Sequence, residues 1–230
     1  MTNKLLAMLE ETFTKKGAIR DAHHPEVVVY YATQSPSRSM FLEGKGPSFV
    51  EDYISVGKKL TAAGATMLCM PCNTAHFALD EIESAVGVPF INIIKNVGQR
   101  IQDAFPHKTV GLIASDGCLA GKVYERVFDV MCPDIKLIYP DKAHQSESTR
   151  GICNVKNVCR FLPLGHPDRP KTIFTCVCEH LRRNGAEVIV TGCTDISVDF
   201  SPQDFSEIEV IDSLQVLSDA CWGYLLQDTP

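Results

Sequence analysis

Two stretches of this chain repeat one another in register, and that repeat constrains the fold more than any other feature. Leu60 stands four residues before Gly64-Ala65, a short apolar run follows, and the chain reaches Pro71-Cys72-Asn73-Thr74. Further on, Leu181 stands four residues before Gly185-Ala186, an apolar run follows, and the chain reaches Gly192-Cys193-Thr194. Each cysteine falls eight residues after its glycine. The register continues, with Val88-Pro89-Phe90-Ile91-Asn92 answered by Ile208-Glu209-Val210-Ile211-Asp212. Agreement at successive spacings marks a duplicated unit.

The unit is of α/β type. Apolar runs that read as strands (Val27–Tyr31, Thr66–Met70, Phe90–Ile94, Val110–Ala114, Lys136–Tyr139, Val188–Thr191 and Glu209–Ile211) alternate with amphipathic helical patterns. Those patterns cover Phe49–Ala63, Ala75–Ala85, Leu119–Met131, Thr172–Arg183 and Leu214–Leu226. Such alternation predicts parallel sheets flanked by helices. Duplication predicts two similar Rossmann-like lobes related by a pseudo-two-fold axis. Residues 1–98 with 212–230 form the first, and 99–211 form the second. Functional residues of such sheets sit beyond the carboxyl ends of strands, where both cysteines fall, so the two thiols should face one another across a cleft. One part is missing. The second half opens with the strand Thr109–Ala114 and the turn Ser115-Asp116-Gly117-Cys118, whereas the first opens with a helix from about Asn3 to Phe13. The first lobe therefore reads as lacking its opening strand.

Composition narrows the function. The net charge of −6 comes with no basic stripe, which argues against a nucleic-acid partner. No run is apolar for long enough to span a bilayer. Glu10, Glu11, Lys15 and Lys16 occupy the place of a signal peptide's apolar stretch. Ten cysteines in that setting imply free thiols in a reducing, cytoplasmic compartment.

A thiol pair on opposite sides of a substrate suits stereoinversion. One base removes the Cα proton from one face, the other returns a proton to the opposite face, and the two exchange roles with direction. The base needs a lowered pKa, which a helix N-terminus after each cysteine would supply. Asn73, Thr74 and Thr194 are placed to hydrogen-bond a thiolate or a carboxylate. Cys118, Cys132, Cys153, Cys159, Cys176, Cys178 and Cys221 read as core packing. Cys69 and Cys72 also form a C-x-x-C, but no second pair at metal-site spacing accompanies it, so no metal is expected.

Pro71-Cys72-Asn73-Thr74-Ala75-His76, taken with Gly192-Cys193-Thr194-Asp195-Ile196, resembles the paired signatures of the aspartate/glutamate racemase family, nearer its aspartate branch. The resemblance covers nearly the whole chain. It implies a racemase that uses neither pyridoxal phosphate nor any other cofactor, acts on a small amino acid, and forms a homodimer. Cys72 and Cys193 would be its catalytic pair. By the same resemblance Arg38, in Ser35-Pro36-Ser37-Arg38, would bind a substrate carboxylate, as a planar guanidinium can do bidentately. Lys156 and Tyr124 match further substrate-side positions, as do Ser115, Gly117 and Cys118 in the second-lobe turn. His76 would either orient the site or be a satisfied core histidine, and Asp195 would orient Cys193. Ser37, Cys118 and Asp195 stand where the family usually has Asp, Thr and Glu. Two other readings use the same scaffold: isomerisation or decarboxylation of a related dicarboxylate, and a catalytically impaired racemase-like protein.

Overall fold

A computed structural model describes residues 1–227, with side chains to residue 225. The last three residues of the segment 212–230 lie outside it. The elements in chain order are α1 (Thr2–Lys15), α2 (Arg38–Leu42), α3 (Val50–Ala62), β1 (Leu68–Cys69), α4 (Leu79–Val86), β2 (Phe90–Ile91), α5 (Ile93–Ala104) and β3 (Thr109–Ile113). They continue with α6 (Asp116–Ala120), α7 (Glu125–Met131), β4 (Lys136–Ile138), α8 (Lys142–Asn154), α9 (Pro170–Arg183), β5 (Val188–Thr191), β6 (Glu209–Asp212) and α10 (Ser213–Gln227). No helix among the described residues is long and apolar enough to cross a membrane.

The strands form two parallel sheets, β1-β2 and β4-β3-β5-β6, and helices flank them. Every residue of β5 is buried, because helices cover both faces of the larger sheet. Val188 and Val190 pack with Ile94, Val97, Ile101, Leu214 and Leu217 of α5 and α10 on one face. Ile189 packs with Phe174, Val177 and Leu181 of α9 on the other.

The repeat has a physical basis in how its two helices stop. Gly64 and Gly185 lie beyond α3 and α9 with φ of +99° and +94°, a left-handed backbone that favours glycine. The Ala65 amide donates to the Leu60 carbonyl at 3.1 Å, and the Ala186 amide to the Leu181 carbonyl at 3.0 Å. Gly64 and Gly185 donate in turn to the carbonyls of Thr61 and Arg182. Each helix thus closes in the same Schellman motif, which aims the chain into the next strand. The conserved leucine-to-glycine spacing within the chain is the span of that motif.

The structure departs from the sequence reading in four places. Val27–Tyr31 forms no strand: Val27, Val28, Tyr30 and Tyr31 are exposed, and none of their amides donates to backbone among the described hydrogen bonds. Its counterpart β4 pairs with the opening strand β3. No described strand occupies that position in the first lobe, so the segment has no ladder to join. Phe90–Ile94 is a strand only to Ile91, since Asn92 caps α5 by accepting from the amides of Ile94 and Lys95. Leu119–Met131 is two helices, broken at Gly121-Lys122, where Lys122 has φ of +49°. Of the cysteines read as core, Cys153 and Cys176 are exposed and Cys159 is half-buried. The exposed pair lies on the outer faces of α8 and α9.

Candidate active site

Cys72 follows β1 and Cys193 follows β5, each just past the carboxyl end of its strand. Hydrogen bonds between the lobes bring the two loops together. The Thr194 hydroxyl donates to the Pro71 carbonyl at 2.7 Å, which joins the residue after one cysteine to the residue before the other. Tyr124 donates its hydroxyl to Asn73 Oδ1 at 2.8 Å, and Asn73 Nδ2 donates to Ser213 Oγ at 3.0 Å. Ser213 passes its own proton to the Thr191 carbonyl at 2.7 Å. This network is buried, so breaking one member strands its partner without water. Thr74 and Ser115 add a hydroxyl pair at 3.1 Å. Gly192 fits because a Cβ there would lie 2.6 Å from Leu112 and 3.0 Å from the Tyr124 ring.

The two thiols have different surroundings. Arg38 stands beside Cys72, and its guanidinium lies 5.9 Å from the centre of the Tyr53 ring. Burial works against the Arg38 charge, but the neighbouring Cys72 and Tyr53 outweigh it and hold Arg38 more firmly protonated than usual. Its Nε is buried with no hydrogen-bond partner. Cys193 has the Lys156 ammonium nearby, which draws its pKa down, but stronger influences act the other way. Burial pushes its thiol well above the ordinary range, and the Asp195 carboxylate, with Oδ2 at 4.0 Å from Sγ, pushes it further. Lys156 holds the same carboxylate in an ion pair at 2.7 Å. The lowered thiol pKa expected at a helix N-terminus is therefore not found at Cys193. Only a single 3-10 turn, Ile196–Val198, follows it, and that is too short to set up a helix dipole of consequence.

His76 holds the Cys72 loop. Its Nε2 accepts from the Ile93 amide at 3.2 Å, which leaves Nδ1–H to donate to the Cys72 carbonyl at 2.9 Å. Burial lowers its pKa to about 4, so the ring is neutral. Cys118 is buried in α6, and burial, aided by Cys193 and Cys72 nearby, keeps it a thiol. Tyr124 and Asn73 bond one another and so position the loops, whereas Arg38, Lys156 and the two cysteines have polar atoms left for a ligand.

Sequence reasoning passed over three residues here. Tyr53 sits on α3 beside Arg38 and Cys72, Ser213 closes the buried network, and Ser39 accepts the Gly117 amide at 2.9 Å. Only Ser213 carried a signal, standing at the start of α10 where Ile93 starts α5 in the first half of the repeat. The Ser39 contact leaves no room: a Cβ at Gly117 would lie 2.3 Å from Ser39 Cα. Gly117→Ala is expected to push α2 off α6 and destabilise the fold by about 1–3 kcal/mol, as overpacking does. Urea denaturation measures this, and an unchanged midpoint would show that α2 retreats freely.

Two α/β lobes each present a cysteine beyond the carboxyl end of a strand, and the loops that carry the two cysteines are hydrogen-bonded to one another. The chain belongs to the Asp/Glu/Hydantoin racemase family, whose model matches residues 1–221. It is 24% identical over 205 residues to the broad specificity amino-acid racemase RacX of Bacillus subtilis, covering 88% of this chain and 82% of that one. It is 30% identical over 173 residues to the glutamate racemase of Corynebacterium kroppenstedtii, covering 70% of this chain and 56% of that one. Among solved structures, the aspartate racemase of Picrophilus torridus superposes with a TM-score of 0.75 at 22% identity, covering 96% of this chain and 90% of that one.

Proposed function

We propose that this protein interconverts the enantiomers of aspartate, or of glutamate, by cofactor-independent proton transfer at Cα between Cys72 and Cys193. The observation that carries the proposal is the joining of the two cysteine loops through Thr194 and Pro71. That bond ties together the loops that carry one thiol from each lobe.

The two environments divide the work. Cys72, beside the Arg38 guanidinium, serves as the base that removes the Cα proton. Cys193 is held protonated by burial and by Asp195, and delivers a proton to the opposite face. In the reverse direction Cys193 needs a proton acceptor, and Asp195 stands hydrogen-bonded to it. Arg38 Nε, buried and unpartnered, supplies a donor for a substrate carboxylate, and Lys156 adds positive charge across the cleft. Asp195 holds Lys156 in place, with burial opposing and the ion pair favouring the lysine's charge. Aspartate is preferred over glutamate on the Pro71–His76 signature.

In deuterium oxide, both enantiomers of the true substrate are expected to gain deuterium at Cα as they interconvert, read by proton NMR. Absence of exchange with L- and D-aspartate and L- and D-glutamate alike would remove the racemase reading for this chain.

A further inference from the structure

A second cluster of ligating side chains lies at the carboxyl end of β4. Asp141 caps α8, its carboxylate accepting the His144 amide at 2.9 Å. The same carboxylate oxygen lies 2.7 Å from His144 Nδ1. His180 reaches in from the last turn of α9, with Nε2 3.8 Å from the other Asp141 oxygen. The two imidazoles stack with centroids 3.6 Å apart and planes at 18°. One ligand atom from each of the three residues falls within 4.8 Å of the others. β3 stands between β4 and β5, which sets the cluster about 10 Å or more from the Cys193 strand. It is no part of the cysteine site.

We propose that Asp141, His144 and His180 bind a transition-metal dication of the zinc, cobalt or nickel type. Two imidazoles and one carboxylate are a donor set that suits such ions and is poorly matched to magnesium or calcium, which take oxygen ligands. Ligands about 2.1 Å from a tetrahedral ion stand about 3.4 Å from one another. The separations of 2.7 and 3.8 Å bracket that value, and the stacked imidazoles would open apart to aim both lone pairs at the ion. His180 Nε2 accepts the Asp141 amide at 3.3 Å, so this nitrogen is unprotonated, the form in which imidazole ligates, and an ion would take the amide's place on its lone pair. The His180 side chain is 15% exposed and Asp141 57%, so the ion would keep water in its remaining positions. Its effect would be mechanical. The ion would clamp the start of α8 to the end of α9, and the chain leaving α8 carries Lys156.

Cobalt(II) titration of the full chain, followed by visible absorption, tests the site. Exposed thiols at Cys153 and Cys176 could also take cobalt, but they would announce themselves by a thiolate charge-transfer band in the near ultraviolet. The expected result is a d–d spectrum without that band, displaced by zinc. The dissociation constant should rise about tenfold or more in His180→Gln and in Asp141→Asn. Asparagine still caps a helix, so a carboxylate that serves only as a cap would leave cobalt affinity unchanged in Asp141→Asn. Thermal denaturation without metal checks that both variants fold. Wild-type affinity in both variants, a thiolate band, or no binding at millimolar cobalt would overturn the proposal.

Discussion

Replacing Cys193 with serine is expected to slow enantiomer interconversion by about 10²–10⁴-fold, the range over which a positioned acid or base acts. A serine hydroxyl fills much of the same volume but neither gives nor takes a proton readily near neutral pH. Cys72→Ser should cost as much, because inversion needs both faces. The two variants should differ in what survives. With Cys72 intact and Cys193 lost, one face of Cα still meets a base, so one enantiomer should exchange its Cα proton with deuterium oxide without inverting. With Cys193 intact and Cys72 lost, the residual exchange should belong to the other enantiomer and be weaker, because burial and Asp195 hold the Cys193 proton. Polarimetry gives the interconversion rate and NMR the exchange. Full activity in either variant, or residual exchange of the same enantiomer in both, would rule out two opposed bases.

The second large effect is on stability. Burial lowers the His76 pKa from 6.5 to about 4, and the unfolded chain therefore binds a proton on this residue before the folded chain does. Its contribution is complete above pH 6.5 and is lost as pH falls toward 4. A shift of that size corresponds to about 3 kcal/mol. Denaturant titrations near neutral pH and near pH 4.5 should show the loss in the wild type. His76→Gln should be less stable near neutral pH, by about 1–3 kcal/mol for the bonds to the Cys72 carbonyl and the Ile93 amide. It should also lose much of the acid-side slope. An unaltered slope would place the titration elsewhere. Because His76 holds the Cys72 carbonyl, acid should loosen the Cys72 loop before the rest of the first lobe.

Some of this was open to reading in one dimension. The strands β3, β4, β5 and β6 were legible because each is an apolar run bounded by turn residues. Both faces of their sheet are covered, so local pattern and tertiary demand agree. Val27–Tyr31 shows the same local pattern and forms no strand, because pairing needs a neighbour that local pattern cannot report. The break at Gly121-Lys122 was hidden for a related reason: apolar spacing runs through it, while the left-handed turn that sets Tyr124 toward Asn73 leaves no periodic trace. The metal-site residues were equally silent, since His144 and His180 meet only when α8 packs on α9.

For the cysteine site, the sequence by itself determined which two residues occupy equivalent places, because helix stop, strand and loop have fixed lengths and repeat in register. It could not determine what each thiol became. The arginine beside Cys72 comes from the start of α2, far back in the chain, and the Asp195 carboxylate beside Cys193 is held by a lysine beyond α8. Only the packing of the lobes decided that Cys72 faces Arg38 and Cys193 a half-buried carboxylate paired with Lys156, since solvation and charge at short range depend on distance in space.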